Sequence, residues 1–301
     1  MSTSILAITN QKGGVGKTTT AVTLSVCYAE QKKRVLLIDM NWQAHASNMF
    51  KTEDGTSFKI RAKLENRTVT EGLLSDSLTV DDLLYKSDSQ YLDVLCTDKR
   101  VKTQIARKEG SSPGSQFMFK RLLKRSNLKQ YDYIIIDTPP DIDLVFQNIM
   151  YASHYYLIPM TAEPDPFDGI DDLLEEVKYI KRDNTQLTCL GIIITNYFPD
   201  KIRTHKIVQP LIKKYADKFG LKFRGEISFS STIASSSLSQ TPLPWRVDLN
   251  EKSKKALKDY YALADALKPE LRGPRRGNPQ ETPVVRNMPK ELISPRLSEQ
   301  H

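Results

Sequence analysis

The sequence contains few cysteines and no long apolar run. Cys27, Cys96 and Cys189 are widely spaced and form no C-x-x-C pair, so neither a zinc site nor a metal cluster is indicated and reduced thiols are expected. No apolar stretch approaches the roughly 18 residues that a membrane-spanning helix needs, and the first residues lack a basic segment followed by an apolar one. We therefore expect a cytoplasmic protein without a membrane span.

Positive charge is in excess. With 44 Lys and Arg against 36 Asp and Glu, the formal net charge is +8. The cations concentrate in residues 99–125, in residues 201–224 and after Lys268. This balance favours a polyanionic partner, although each of these segments can equally be a solvated surface.

Short runs rich in β-branched residues alternate with longer segments of helical period. Strands are predicted at 4–10, 34–40, 91–96, 131–138, 154–160 and 187–196. Helices are predicted at 17–31, 167–182 and 252–268. This alternation is typical of βαβ units, so we predict an α/β fold in which a mostly parallel twisted sheet carries helices on both faces.

The composition divides the chain into one domain and a tail. We predict a single domain over residues 1–268, with exposed insertions at about 52–70 and 98–116, where the sequence turns polar. Residues 269–301 contain six prolines and several arginines but little apolar periodicity. This composition predicts a disordered tail.

The stretch ITNQKGGVGKTTTAV, residues 8–22, indicates a phosphate site. Gly13, Gly14 and Gly16 lie between an apolar strand and a helix, where backbone N–H groups can turn onto phosphate oxygens beside the helix N-terminus. Lys17 is placed for the β- and γ-phosphates of a nucleotide. A glycine turn without a ligand is the alternative.

Two further residues of this stretch support a nucleotide site, and two others depart from the ordinary motif. Thr18 is placed to put its hydroxyl on Mg²⁺, and Thr19 is placed to reach the α-phosphate. The ordinary motif has glycine where this chain has Gln11, and Lys12 is a second cation in the loop.

That departure carries a family resemblance. KGGVGKTTT after ITNQ, followed by RVLLIDMNWQAHAS and YDYIIIDTPP, closely resembles the ParA/MinD group of deviant Walker-type ATPases, and the ParA branch in particular, from about residue 3 to residue 267. The resemblance implies a P-loop NTPase fold of the deviant Walker A type, ATP and Mg²⁺ as cofactors, and hydrolysis of ATP. The residues that it assigns to the nucleotide are Gly13, Gly14, Val15, Gly16, Lys17, Thr18 and Thr19.

In this family the early lysine, Lys12 here, reaches across a dimer interface to the phosphates of the nucleotide in the other subunit. The resemblance therefore implies a homodimer in the ATP state, in which Lys12 supplies charge where the transition state develops it. The alternative is a second lysine that acts in cis on the same nucleotide.

Two aspartates are expected near Mg²⁺. Asp137 ends the apolar run YIIID and is the expected acid that orients the ion, although an aspartate at a strand end can also cap the following turn. The family pattern after the second strand is D-x-D-P-Q, and its first aspartate corresponds to Asp39. This chain reads DMNWQ, so Asn41 replaces the second aspartate and Trp42 replaces the proline.

An amide at position 41 can position water but cannot accept a proton. Three interpretations of Asn41 remain open: slow hydrolysis with a long-lived ATP dimer, an engineered substitution that traps this dimer, or normal turnover carried by Asp39 alone. Our hypothesis is that Asn41 lowers turnover and leaves ATP binding and dimerisation intact.

The ParA branch binds DNA without sequence preference in its ATP dimer, and a ParB-like partner or adaptor triggers hydrolysis. The resemblance thus implies a partition ATPase that positions plasmid or chromosomal DNA, or another cargo, at the nucleoid. Arginines usual in the family are missing between Arg224 and Arg246. The candidate DNA contacts, for which a solvated helix face is the alternative, are Lys201, Arg203, Lys206, Lys213 and Lys214. Asn196 is a candidate adenine contact or an ordinary loop asparagine.

Other functions of the same family need features of their own. A MinD-like membrane role needs an amphipathic C-terminal helix, and the segment KELISPRLSEQH is short and interrupted by Pro295. A nitrogenase-iron-protein role needs cluster cysteines near the nucleotide. A weakly hydrolysing, ATP-switched binding module for a protein cargo adaptor is the main alternative.

Overall fold

A computed structural model describes residues 3–107, 113–200, 202–233 and 240–271, which form one eight-stranded sheet covered by helices. The strands are β1 (Ser4–Ile8), β2 (Val35–Asp39), β3 (Tyr85–Lys86), β4 (Leu92–Leu95), β5 (Tyr133–Asp137), β6 (Tyr155–Thr161), β7 (Thr188–Tyr197) and β8 (Phe223–Ser228). The helices are α1 (Lys17–Glu30), α2 (Phe58–Glu65), α3 (Val69–Leu74), α4 (Val80–Leu83), α5 (Arg100–Ala106), α6 (Met118–Arg125), α7 (Leu144–Ala152), α8 (Ile170–Ile180), α9 (Arg203–Lys218) and α10 (Glu251–Leu267).

The strand order is β3-β4-β2-β5-β1-β6-β7-β8, and every neighbouring pair is parallel except β3 with β4. The chain moves from β1 outward to β2 and β4, returns to β5, and continues on the other side of β1. The strand order therefore reverses around β1, and ligands of open α/β sheets bind at such a point, outside the carboxyl ends of the strands. The predicted α/β fold is confirmed.

Side-chain alternation along the strands builds two cores. Ile5, Leu36 and Ile38 belong to the cluster on one face, whereas Leu6 and Leu37 belong to the cluster on the other. Successive residues of a strand point to opposite faces, so the continuous apolar runs of a parallel sheet are buried on both sides.

Helix α1 is buried on almost all sides, because it lies between the sheet and α10. Two tyrosines make the contact: the Tyr28 hydroxyl donates to the Ala264 carbonyl at 3.0 Å, and Thr20 and Tyr260 share a hydrogen bond of 3.3 Å between their hydroxyls. The helix that follows the glycines is thus fixed along its length.

Each of the two segments expected to be an exposed insertion contains a helix with one side on the core. Residues 58–65 form α2, whose Phe58 and Ala62 are buried and whose N-terminus is capped by Ser57. Residues 100–106 form α5, which buries Val101 and Ile105. In each helix only two apolar residues four positions apart face the core, so the composition is polar although the segment is packed. Residues 108–112 lie outside the described part of the chain.

The domain boundary predicted at Lys268 is also corrected. Leu271 is buried, and its carbonyl accepts a hydrogen bond from Ser4 Oγ at 2.8 Å. Glu270 pairs with Arg224 and with Lys222. The packed fold therefore continues to residue 271, and the rest of the predicted tail, including the C-terminal segment that bears on a membrane role, lies outside the described residues.

Two strands were not predicted. β3 has only two residues, and β8, FRGEIS, is a half-buried edge strand that contains Gly225. Neither has the apolar run or strict alternation that identifies a strand. Within the described residues, no helix combines the length and the hydropathy that crossing a membrane requires.

The packing of α2 can be tested with Phe58→Ala. Phe58 is 1% exposed and contacts Phe50 and Tyr85, so we expect a loss of about 3–5 kcal/mol in the free energy of unfolding in urea. Ile60→Ala on the exposed side of the same helix is the control and should change it by less than about 0.5 kcal/mol. Equal effects of the two substitutions would contradict the packed arrangement.

Candidate nucleotide site

The loop between β1 and α1 is fixed by the end of β7. Gly14 and Gly16 have φ values of 74° and 79°, a region that glycine adopts without strain. Thr195 Oγ1 donates to the Val15 carbonyl at 2.9 Å, and a Cβ on Gly16 would lie only 3.3 Å from this same oxygen. The small residue at position 16 thus permits the close approach of Thr195, a contact that the sequence does not indicate.

Gln11 stands where the ordinary motif has glycine, and it packs against the loop before α8. Gly169, with φ of 73°, has no room for a Cβ because the Gln11 side chain occupies that position. The two loops therefore fit together at one end of a cavity of about 430 Å³ that Lys12 also lines.

Lys17 is buried and turns back onto its own loop. Its Nζ donates to the Lys12 carbonyl at 2.9 Å. Burial lowers the pKa of Lys17 to about 8, although the carboxylates of Asp137 and Asp141 oppose this shift. The ammonium group faces the curved loop backbone, where it can meet an anionic ligand.

Asp137 is fully buried at the end of β5. One carboxylate oxygen, Oδ2, accepts a hydrogen bond from Thr18 Oγ1 at 2.7 Å. The other, Oδ1, is buried without a hydrogen-bond partner among the described residues. Burial, and then the nearby Asp39, raise the pKa of Asp137 well above its usual range. An unpartnered carboxylate oxygen beside a hydroxyl fits a hard cation such as Mg²⁺, so Thr18 and Asp137 are chemically suited to hold it.

Asp39 is differently engaged. It lies beside Asp137 in the register of β2 with β5. Its Oδ1 accepts from the Asn41 amide at 3.0 Å, and its Oδ2 accepts from the Ser47 amide and hydroxyl at 2.8 and 2.7 Å. Burial raises the pKa of Asp39 to about 6, although these hydrogen bonds oppose the shift. The carboxylate therefore shapes the loop after β2, and its expected role near Mg²⁺ stays a prediction.

Asn41 and Trp42 are both packed at this edge of the sheet. Asn41 is buried, and its Oδ1 accepts from the Gln43 amide at 3.2 Å, a contact that an aspartate can also make. The Trp42 ring packs against the core, and the Lys102 ammonium lies 5.4 Å from its centroid. The substitution at position 41 therefore removes a charge without disturbing the turn.

The ammonium group of Lys12 lies near a carboxylate that follows β6 in this single chain. Its Nζ lies 3.9 Å from Glu163 Oε2, and Glu163 follows β6. The backbone N–H of Lys12 donates to Asn10 Oδ1 at 2.9 Å. The assignment of the Lys12 side chain to the nucleotide of another subunit stays a prediction.

The candidate DNA and adenine residues lie on β7 and α9. Asn196, near the end of β7, has φ of 53°, a conformation that asparagine tolerates. Arg203, Lys206 and Lys214 are exposed on α9, whereas Lys213 is 3.4 Å from Glu226 and lies over the ring of Phe223. Lys201 lies outside the described residues. The roles of these residues stay predictions.

Comparison with known proteins gives a consistent pattern. A family model described as "AAA domain" matches residues 3–189. The chromosome partitioning protein ParA of Myxococcus xanthus is 32% identical over 207 residues, 68% of this chain and 69% of that protein. The sporulation initiation inhibitor protein Soj of Bacillus subtilis is 32% identical over 216 residues, 71% of this chain and 81% of that protein. A Borrelia burgdorferi structure described as a plasmid partition protein bound to AMPPNP has a TM-score of 0.70 at 27% identity, and the match covers 89% of this chain and all of that one.

The charge of Asp137 can be tested through the pH dependence of stability. Because the fold raises its pKa, the stabilising contribution of the protonated form is lost as pH rises from about 4 through that raised pKa. Without nucleotide and Mg²⁺, we expect the free energy of unfolding of Asp137→Asn to increase, relative to that of the unsubstituted protein, by on the order of 1 kcal/mol between pH 4.5 and pH 7.5. Urea unfolding at both pH values measures this, with the exposed Asp76→Asn as control. If the free energy of unfolding of Asp137→Asn instead fell relative to that of the unsubstituted protein as the pH rose, the raised pKa of Asp137 would be contradicted.

Proposed function

The chain belongs to the ParA/MinD family of P-loop ATPases, and from this we propose that it is an ATP-dependent, dimerising partition ATPase. The observation that supports the proposal most strongly is the pairing of Thr18 with the buried Asp137, whose second oxygen has no hydrogen-bond partner in the part of the chain that the structure describes. A nucleoside triphosphate with a bound cation would use this arrangement together with the buried Lys17, and the family points to ATP.

The residues of the site divide the work of binding and hydrolysis. Backbone N–H groups of residues 13–19 bind the phosphates, and Lys17 exchanges its contact with the Lys12 carbonyl for the β- and γ-phosphates. Thr18 and Asp137 hold Mg²⁺, which, when bound, neutralises charge on the phosphates. Water attacks the γ-phosphorus, and ADP leaves. Asn41 can position water but cannot accept a proton, so we expect turnover to be slower than it would be with an aspartate at position 41.

Dimerisation is the proposed switch. In the single chain Lys12 lies near Glu163, a solvent-exposed partner that gives the ammonium group little stabilisation. The phosphates of the nucleotide in a second subunit are a stronger partner. ATP therefore favours the dimer, and loss of the γ-phosphate dissolves it.

Lys12→Ala tests this switch. We expect the variant to bind ATP with an affinity within about twofold of the original, since the proposal assigns Lys12 to the nucleotide of the other subunit. ATP-dependent dimerisation, measured by light scattering after gel filtration with a slowly hydrolysed analogue, should be lost together with phosphate release. The exposed Lys63→Ala on α2 is the control. Weaker ATP binding by the monomer, with dimerisation unchanged, would instead favour the role in cis.

We propose that the ATP dimer binds DNA through α9. Arg203, Lys206 and Lys214 are exposed on this helix and can contact phosphates without reading bases. Lys213 contributes less, because Glu226 and Phe223 already engage its ammonium group. A ParB-like partner or an adaptor then stimulates hydrolysis and releases the DNA.

The DNA proposal predicts a salt-dependent signal. The double variant Lys206→Glu/Lys214→Glu should lower ATP-dependent retention on DNA. It should also reduce the slope of log affinity against log salt by up to roughly four, because the dimer carries each lysine twice. The matched control is Lys63→Glu/Lys258→Glu, which makes the same charge change at exposed lysines of α2 and α10. Binding that is independent of salt, or equal losses in both double variants, would exclude α9 as the DNA surface.

A second candidate function is favoured by the same helix. Ile207 and Leu211 are 60% and 47% exposed, and they lie one turn apart among the cations of α9. Exposed aliphatic residues add little to a phosphate contact but suit a protein partner. An ATP-switched module that binds a cargo adaptor through this face would retain the adaptor, and not DNA, in the ATP state.

A further inference from the structure

A carboxylate that the sequence comparison does not single out lies in the cavity beside the phosphate loop. This cavity, of about 430 Å³, is lined by Gln11 and Lys12 on one side, by residues 140–142 on another, and by Asp168 and Gly169. Asp141 thus shares a cavity with Lys12, the lysine assigned to the nucleotide of the other subunit. It follows Asp137 by four residues in the loop between β5 and α7.

The position of Asp141 is connected to the site of the missing carboxylate. Asp39 and Asp137 are paired in the register of β2 with β5, so the loops that carry Asn41 and Asp141 leave adjacent strand ends. Because these loops begin side by side at the carboxyl edge of the sheet, a side chain from either can reach the same ligand.

Asp141 is held in place by α5. Lys102 Nζ donates to Asp141 Oδ2 at 2.7 Å, and the same ammonium group lies 5.4 Å from the centroid of the Trp42 ring. The cation is therefore shared between a carboxylate and an aromatic face, both of which attract it. Trp42 stands where the family has proline, and it is the residue next to Asn41. Lys102 therefore connects Asp141 to the neighbour of Asn41.

The carboxylate of Asp141 is accessible to a ligand, and the ammonium group of Lys102 balances its charge. Its side chain is 40% exposed, and Lys102 occupies only Oδ2. The carboxylate is also close enough to Lys17 to raise the pKa of that lysine against the effect of burial. Lys102 offsets the repulsion that an unpaired carboxylate would exert on a bound polyphosphate.

We propose that Asp141 supplies the carboxylate that Asn41 lacks: it accepts a hydrogen bond from the attacking water, while Lys102 and Trp42 position it. This inference rests on the proposed ATPase function. The water oxygen forms a bond to the γ-phosphorus as the bond from phosphorus to the β–γ bridging oxygen breaks, and ADP leaves with the electron pair. Asp141 takes one proton from the water as this bond forms and returns it to the phosphate produced, so Asp141 ends the step as a carboxylate.

The test is phosphate release by four variants of the full chain. Asp141→Asn should lower turnover by about 100-fold, the low end of what a positioned acid or base contributes, with ATP affinity within about twofold. Asp168→Asn, the same change in the same cavity, is the control and should stay within about twofold. Asn41→Asp should raise turnover, and in the double variant Asn41→Asp/Asp141→Asn it should restore most of the loss.

A second measurement does not depend on activity. The chain has two tryptophans, so in a Trp245→Phe background Trp42 is the single one. Its fluorescence in the nucleotide-free protein should change with Lys102→Met and with Asp141→Asn but not with Asp168→Asn. Unchanged emission in all three would overturn the positioning by Lys102 and Trp42.

The outcomes separate the inference from the function on which it rests. No phosphate release by the unsubstituted protein, with ATP bound, would overturn both. Phosphate release that survives Asp141→Asn, or that falls only in proportion to ATP binding, would overturn the inference alone. The inference would also be overturned if Asn41→Asp did not restore phosphate release in the double variant, because positions 41 and 141 would then not act on the same water.

Discussion

The burial of three charged groups at one edge of the sheet is the constraint on which the rest of the site depends. Lys17, Asp39 and Asp137 are almost inaccessible to water, and a buried charge is costly unless other groups compensate it. Asp39 accepts from three donors, whereas among the described residues Lys17 has one carbonyl acceptor and Asp137 one hydroxyl donor. The attraction between Lys17 and the carboxylates of Asp137 and Asp141 offsets the cost of burial only in part. The ligand-free site is therefore electrostatically incomplete, and a polyphosphate with a divalent cation supplies the charges that it lacks.

The fold brings these charges together through strand order. β1, which leads into the phosphate loop, pairs with β5, and β5 pairs with β2, so the loop, Asp137 and Asp39 leave three consecutive strands. Apolar clusters on both faces of the sheet fix these strands, and α10 holds α1 from behind. The free energy gained by burying the apolar core thus offsets the cost of burying the charged groups of the site.

Much of this could be predicted from the sequence, because the decisive signals were local. The six predicted strands appear within a few residues of their expected bounds, and the phosphate loop and Asp137 are local motifs. The contact of Thr195 with Val15 joins residues 180 positions apart, and no periodicity reports it. The helices at 58–65 and 100–106 were missed because each faces the core with only two residues, so composition outweighed spacing.

Net charge likewise predicted a polyanionic partner but not which cations are available to it. Lys213 and Lys214 are equivalent in the sequence, yet the first is engaged by Glu226 and the second is exposed. The same limit applies to carboxylates. In the family motif, Asn41 stands at the position of an aspartate, so the sequence indicates the loss of a carboxylate. In a parallel sheet, however, the carboxyl ends of neighbouring strands lie side by side. Because β2 and β5 are neighbours, an acid lost from one loop can be replaced by an acid on the other.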